Sequence, residues 1–171
     1  MLRSWITRRV DAEERRAGVP LEYVRHILRV SLPAFMRYAA FIPMSRYRRR
    51  LPADAFHVAR LVATRRQDCG SCVQIVVNLA RRDGLGSTTI ADVLAARVDA
   101  LPSELQDVYR FTEAVVDATY DEGPLRERLR SRYGEEALVE LALAIASAQV
   151  FPVAKRALGY AISCSRVEIR V

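Results

Sequence analysis

The chain has 171 residues, of which 51% are apolar and only 7 are glycine and 7 are proline. This length suits one compact domain with a hydrophobic core, and this composition excludes an intrinsically disordered chain. The formal net charge is +7, and Lys155 is the single lysine among 27 basic residues.

The charge distribution and the apolar segments exclude several classes of protein. Basic residues cluster at 45–50 and 126–132, but no nucleic-acid-binding motif accompanies them, so we predict no specific nucleic-acid partner. The first residues contain neither a continuous apolar stretch nor a small-residue cleavage site, which argues against a secretory signal. Arginines and prolines interrupt the apolar region 24–44, which argues against a membrane span there. We therefore expect a cytoplasmic protein.

Apolar residues recur at helical spacing along nearly the whole chain, and proline, glycine and capping residues mark the helix ends. Only the C-terminal stretch 166–171 has an extended pattern, and one strand cannot form a sheet. The predicted fold class is therefore all-α, with a single helical domain over residues 1–171. In chain order, the predicted helices are 20–28, 33–41, a helix that starts at Pro52, 68–82, a short helix capped by Ser87 or Thr88, 103–121, 124–132, 135–150 and 152–163.

The segment DCGSC at 68–72 is the strongest candidate for a chemical site. Residues three apart on a helix share a face, so Cys69 and Cys72 should lie close together. Their position at the start of a helix, where unpaired backbone N–H groups and the helix dipole favour a thiolate, is typical of a redox pair.

Two other interpretations of the cysteine pair stay open, namely two small core residues or half of a zinc site. A zinc site needs four ligands, and no second pair of cysteines or histidines has a suitable spacing, so we predict no metal and no cofactor. The third cysteine, Cys164, lies in an apolar segment and is predicted to be buried and to stay reduced.

Residues 51–94 resemble the core of the carboxymuconolactone decarboxylase and alkylhydroperoxidase-D-like family. In that family the C-x-x-C motif opens a helix, and a stretch matched here by Ala80, Arg81 and Gly84 closes it. The likeness extends more loosely over about 20–163. It implies an all-helical bundle of the alkylhydroperoxidase-D-like type, assembled into trimers or hexamers.

The resemblance also implies an activity, that of a thiol-dependent oxidoreductase that reduces hydroperoxides. By that likeness Cys72 attacks the hydroperoxide and Cys69 condenses with the resulting sulfenic acid. An external dithiol would then restore the pair by exchange. The expected partners are therefore a hydroperoxide substrate, a dithiol reductant and further copies of the chain.

The sequence departs from the family pattern at two positions. Peroxide-reducing members have a histidine four residues after the second cysteine, where this chain has Val76, and a glutamate 12 residues before the first, where it has His57. An unperturbed histidine titrates near neutral pH, so His57 is the candidate base for the thiol proton, and we expect it to face the cysteine helix. Arg66 is the candidate electrostatic helper.

Two further functions stay open. The first is a non-catalytic helical oligomer or redox sensor with a vestigial site, which the valine at position 76 favours. The second is a lyase similar to the carboxymuconolactone decarboxylases, for which only scattered arginines are available to bind a carboxylate.

Overall fold

The structure is a computed structural model that describes residues 2–161. These residues contain helices and no strand, which confirms the predicted all-α class. The expected extended stretch 166–171 and Cys164 lie outside the described residues. The helices are α1 (Leu2–Ala17), α2 (Glu22–Val30), α3 (Leu32–Ala39), α4 (Phe41–Ser45), α5 (Ala53–Arg65), α6 (Gly70–Arg82), α7 (Ser87–Leu94), a 3₁₀ turn (Val98–Ala100), α8 (Ser103–Asp117), α9 (Gly123–Tyr133) and α10 (Glu135–Ala157).

Helix α5 lies at the centre of the fold. Every residue from Ala55 to Thr64 is buried, including the polar side chains of His57, Arg60 and Thr64. Ala55, Ala59 and Ala63 recur at a spacing of one turn and are fully buried, so neighbouring helices approach this face closely. Helices α6, α7, α8 and α10 all pack against α5.

The buried apolar residues form two groups. The larger group, which we call the main core, surrounds α5 and runs from Leu51 to Ala148. The smaller group, which we call the N-terminal cluster, consists of Ile6, Val10, Leu28 and Phe35 on α1, α2 and α3.

The observed length of helix α10 shows that one prediction from the sequence was wrong. We expected separate helices at 135–150 and 152–163, but a single helix of 23 residues continues through Pro152. Proline removes one backbone hydrogen bond from a helix interior. Here Pro152 is buried, and α10 packs against α4, α5 and α9, so tertiary packing outweighs the local preference.

Helix α10 is also the one helix of residues 2–161 that is long and apolar enough to cross a membrane by length and composition. Its most apolar window has a mean hydropathy of 1.8, and 44% of that window is buried inside the protein. The core helix of a soluble protein passes the same test, so this finding is weak evidence for a span.

A buried carboxylate fixes the loop that precedes α5. Glu140, on α10, is only 2% exposed and accepts hydrogen bonds from the backbone N–H groups of Arg50 and Leu51 at 2.9–3.1 Å. Burial alone would raise the pKa of Glu140, but the backbone N–H groups of this loop outweigh it and hold the pKa below its usual range. The loop and α10 are therefore joined by a charge-assisted contact.

Candidate active site at the start of α6

The chain turns sharply between α5 and α6, immediately before the cysteine pair. Asp68 adopts a positive φ of 47°, and Cys69 is the N-cap of α6. Two residues of α10 hold this turn: Arg156 donates to the carbonyl oxygen of Gln67, and the Gln67 side chain donates to Gln149 at 3.3 Å. Helix α10 therefore positions the segment that carries the cysteines.

Cys69 and Cys72 lie together in disulfide geometry, with Cα atoms 5.2 Å apart. This arrangement confirms the prediction that the two side chains share a face. The pair is buried, with exposed fractions of 3% for Cys69 and 7% for Cys72. Since Cys72 is in the first turn of α6, the unpaired N–H groups of that turn would favour its thiolate after reduction.

Ser71 and Lys155 extend the site in a way that we did not predict. The Ser71 hydroxyl is 3.7 Å from the Cys69 sulfur, and the Lys155 ammonium donates to that same hydroxyl. A hydroxyl can donate and accept at once, so Ser71 connects the sulfur to the cation. Burial lowers the pKa of Lys155, and Glu22 acts in the opposite direction. The one sequence signal for this contact is that Lys155 is the single lysine of an arginine-rich chain.

An apolar cavity of about 490 Å³ opens beside the cysteine pair. Cys72 is part of its wall, followed along the same face of α6 by Ile75, Val76 and Leu79. Helices α1 to α4 close the opposite side, and Ala148 and Pro152 of α10 complete it. A buried cysteine thus borders a partly open cavity that is large enough for a small organic molecule.

Two buried polar side chains of α5 also line this cavity. Arg60 is 7% exposed and Thr64 is 1% exposed. Within residues 2–161 neither the Arg60 Nε nor the Thr64 Oγ1 has a hydrogen-bond partner. The Arg60 guanidinium lies 5.1 Å from the centre of the Phe56 ring. Burial lowers the pKa of Arg60 to about 10, and nearby Arg46 lowers it further while Asp83 opposes the change.

His57 faces α6, as predicted, but the structure does not bring it to the cysteine pair. Its Nε2 lies 2.8 Å from Oδ2 of Asp83, the residue that follows the last turn of α6. Cys72 and Asp83 are separated by roughly 16 Å along the helix axis, which is too far for direct proton transfer. Burial is the main reason that the pKa of His57 is lowered, and the hydrogen bond to Asp83 opposes it.

Arg66 and its neighbour Arg65 also point away from the cysteines. Arg66 pairs with Glu113 and Asp117 of α8, and Arg65 donates to the Tyr109 hydroxyl at 2.7 Å. The cation that reaches the pair is instead Lys155, through Ser71.

Over the part of the chain that the structure describes, no group of three or more His, Cys, Asp or Glu side chains is arranged to hold a metal ion. Compared with protein-family models, with curated proteins and with solved structures, the chain matches none of them. The family resemblance of residues 51–94 therefore stays a prediction.

Proposed function

We propose that the protein is a thiol-dependent oxidoreductase that reduces hydroperoxides through Cys69 and Cys72, on a bundle of the alkylhydroperoxidase-D-like type. One observation carries this proposal: a cysteine pair in disulfide geometry opens a helix, and Cys72 of this pair is part of the wall of an apolar cavity. A helix start favours the reactive thiolate, and the cavity offers an organic hydroperoxide a route to it.

The proposed cycle has three balanced steps. The Cys72 thiolate attacks the terminal oxygen of the hydroperoxide, the O–O bond breaks, and the alkoxide takes up a proton to leave as an alcohol while Cys72 becomes a sulfenic acid. The Cys69 thiol then displaces hydroxide from that sulfur, so that a disulfide forms and water leaves. Finally, an external dithiol reduces the disulfide by two exchanges and is itself oxidised.

The surroundings of the two sulfurs support this division of roles. Cys72 lines the cavity, so it is the sulfur that a bound substrate would meet. Cys69 is connected through Ser71 to Lys155, and a nearby cation favours the thiolate form that attacks the sulfenic acid.

A coupled assay tests the proposal. The reduced protein should consume an organic hydroperoxide in the presence of dithiothreitol faster than dithiothreitol alone, whereas Cys72→Ser and Cys69→Ser should fall to the background rate. Cys164→Ser is the matched control and should retain turnover. Turnover by the wild-type protein at the background rate would overturn the proposal.

A second candidate, a redox sensor without turnover, is favoured by the apolar surroundings of Cys72. Val76, one turn further along α6, is buried and cannot take a proton, and His57 lies near the other end of that helix. A sensor would lose two thiols to one equivalent of hydroperoxide, but it would not cycle with dithiothreitol. Counting free thiols beside the coupled assay separates the two functions.

Self-association is the third part of the proposal. Large apolar side chains are exposed on the N-terminal helices and on α10, among them Val30 at 69%, Met36 at 54% and Val139 at 52%. Exposed apolar surface of this kind favours pairing between copies of a chain. Light scattering at micromolar concentrations should give a mass of two or more times 19.3 kDa, and a stable monomer would contradict the expectation.

A further inference from the structure

A buried guanidinium nitrogen without a hydrogen-bond partner is unusual, and Arg60 carries one in the mostly apolar wall of the cavity. Its Nε has no partner within residues 2–161, and neither has the hydroxyl of Thr64, one turn further along α5. An isolated buried charge is costly, and buried polar groups are normally satisfied. Both groups border the cavity, so a molecule bound there can satisfy them.

The nearby carboxylates are already engaged. Asp83 is hydrogen-bonded to His57, and Glu13, which lines the cavity, accepts a hydrogen bond from Arg46 at 3.0 Å. With a pKa of about 10, Arg60 remains protonated at neutral pH. Among the described residues that line the cavity, Arg60 is the buried charged side chain, and Arg9, Glu13 and Arg46 also belong to this mostly apolar wall.

We infer that this cavity binds amphipathic monocarboxylates, with the carboxylate on Arg60 and Thr64 and the hydrocarbon chain along the α6 face that carries Cys72. A guanidinium matches a carboxylate in geometry and charge. A single buried cation suits a monoanion, and Ile75, Val76 and Leu79 suit an alkyl chain. This inference rests on the proposed function, and together they predict that the substrate is a hydroperoxide of such a carboxylic acid.

The wall segments of α5 and α6 set the length of a ligand. Arg60 and Thr64 are roughly 6 Å apart along α5, and Cys72 and Leu79 are roughly 10 Å apart along α6. Since both segments border one cavity, a ligand whose carboxylate contacts Arg60 shares that cavity with Cys72.

Binding can be measured without any turnover, because Trp5 is the single tryptophan of the chain and lines the cavity. Decanoate should change the Trp5 fluorescence of the oxidised protein saturably. Its affinity should exceed that of 1-decanol and of decyltrimethylammonium by at least about tenfold, since a charge-assisted contact is worth roughly that much. Equal affinity for decanoate and 1-decanol would overturn the inference, and this comparison requires no variant.

Variants of Arg60 sharpen the test. Arg60→Met should weaken the binding of decanoate at least about tenfold and the binding of 1-decanol less than about twofold. Arg60→Lys should retain part of the preference for decanoate over 1-decanol. Arg128→Met is the matched control, because Arg128 pairs with Asp107 and is not part of the cavity wall. An equal loss in Arg128→Met and Arg60→Met would contradict the inference. Circular dichroism checks the folding of each variant.

A turnover measurement separates this inference from the proposed function. Hydroperoxydecanoic acid should be reduced with a kcat/KM about tenfold above that of its methyl ester, and Arg60→Met should abolish the difference. If decanoate binds in a way that depends on Arg60 but no hydroperoxide is consumed, the binding site is supported and the proposed peroxidase activity is overturned. If both hydroperoxides are reduced at equal rates and decanoate does not bind, the carboxylate site is overturned and the proposed peroxidase activity stands.

Discussion

The main core and the N-terminal cluster are built from similar apolar residues, yet they differ in how completely they are filled. The main core forms where long helices cross, namely α5 with 13 residues, α8 with 15 and α10 with 23. The N-terminal cluster forms between α1, of 16 residues, and the short helices α2 and α3, of 9 and 8 residues. Helices α2 and α3 bury only Tyr23, Leu28 and Phe35, and the cavity lies between these helices and α6. The comparison teaches that space remains where short helices bury few side chains, and Cys72 lies at the border between the two regions.

Matched truncations on the two sides of this border should give the largest difference in stability. Leu61→Ala, in the main core, should lower the free energy of unfolding by roughly 3 kcal/mol, whereas Ile75→Ala, on the cavity wall, should lower it by roughly 1 kcal/mol. Leu61 is fully buried among packed neighbours, but Ile75 already borders empty space. Urea denaturation measures both. Equal losses would mean that the cavity wall is packed as tightly as the core.

The second prediction concerns the carboxylate that joins the main core to the loop before α5. Glu140→Gln should cost roughly 2 kcal/mol at pH 7, because charge-assisted hydrogen bonds to the backbone become neutral ones. Glu136→Gln is the control, since Glu136 is 78% exposed and its pair with Arg50 should contribute little.

The effect of Glu140 should depend on pH in one direction. The folded state holds the pKa of Glu140 below its ordinary value of 4.5, so its contribution is complete above that value. It should be lost as the pH falls through the lower, folded pKa. A difference between wild-type and Glu140→Gln that grows on acidification below pH 4.5 would contradict this account.

The third prediction concerns His57, which is buried on α5. Burial lowers its pKa in the folded state, so its neutral form stabilises the fold above its ordinary pKa of 6.5, and this contribution is lost as the pH falls below that value. His57→Asn should therefore reduce the loss of stability between pH 7 and pH 5, which urea denaturation at the two pH values measures.

Turnover separates this structural role of His57 from the role of a base. In the coupled hydroperoxide assay, His57→Asn should stay within about twofold of wild-type, because the histidine lies too far from Cys72 to take its proton directly. His26→Asn, at the other histidine of the chain, is the matched control. A loss of roughly 10²-fold in His57→Asn alone would restore the base assignment.

The smallest change in rate is expected for substitutions of Lys155, which connects α10 to the cysteine pair through Ser71. Lys155→Met should slow disulfide formation about threefold, since it removes one hydrogen bond and one nearby charge. Lys155→Arg should restore part of the rate. Stopped-flow measurement of thiol loss after addition of hydroperoxide gives the rates, and unchanged kinetics in Lys155→Met would remove Lys155 from the site.

The sequence predicts the all-α class and the pairing of Cys69 with Cys72 because both depend on local periodicity. It does not predict the contacts of Glu140, Lys155 or Arg60, since these join residues distant along the chain. For His57 a usable signal was present. In a helical hairpin, positions equally far from the connecting turn face each other, so His57 lies opposite the end of α6 and not its start.

The sole lysine, whose ammonium contacts Ser71 at the cysteine end of α6, allows amine chemistry to label a single side chain of the protein. Reductive methylation with ¹³C-formaldehyde would mark Lys155 and the terminal amine only. The dimethyl-lysine signal in an NMR spectrum would then report on the environment of the cysteine pair. Its chemical shift, recorded with and without a dithiol, would follow the thiol–disulfide state in solution without a substitution.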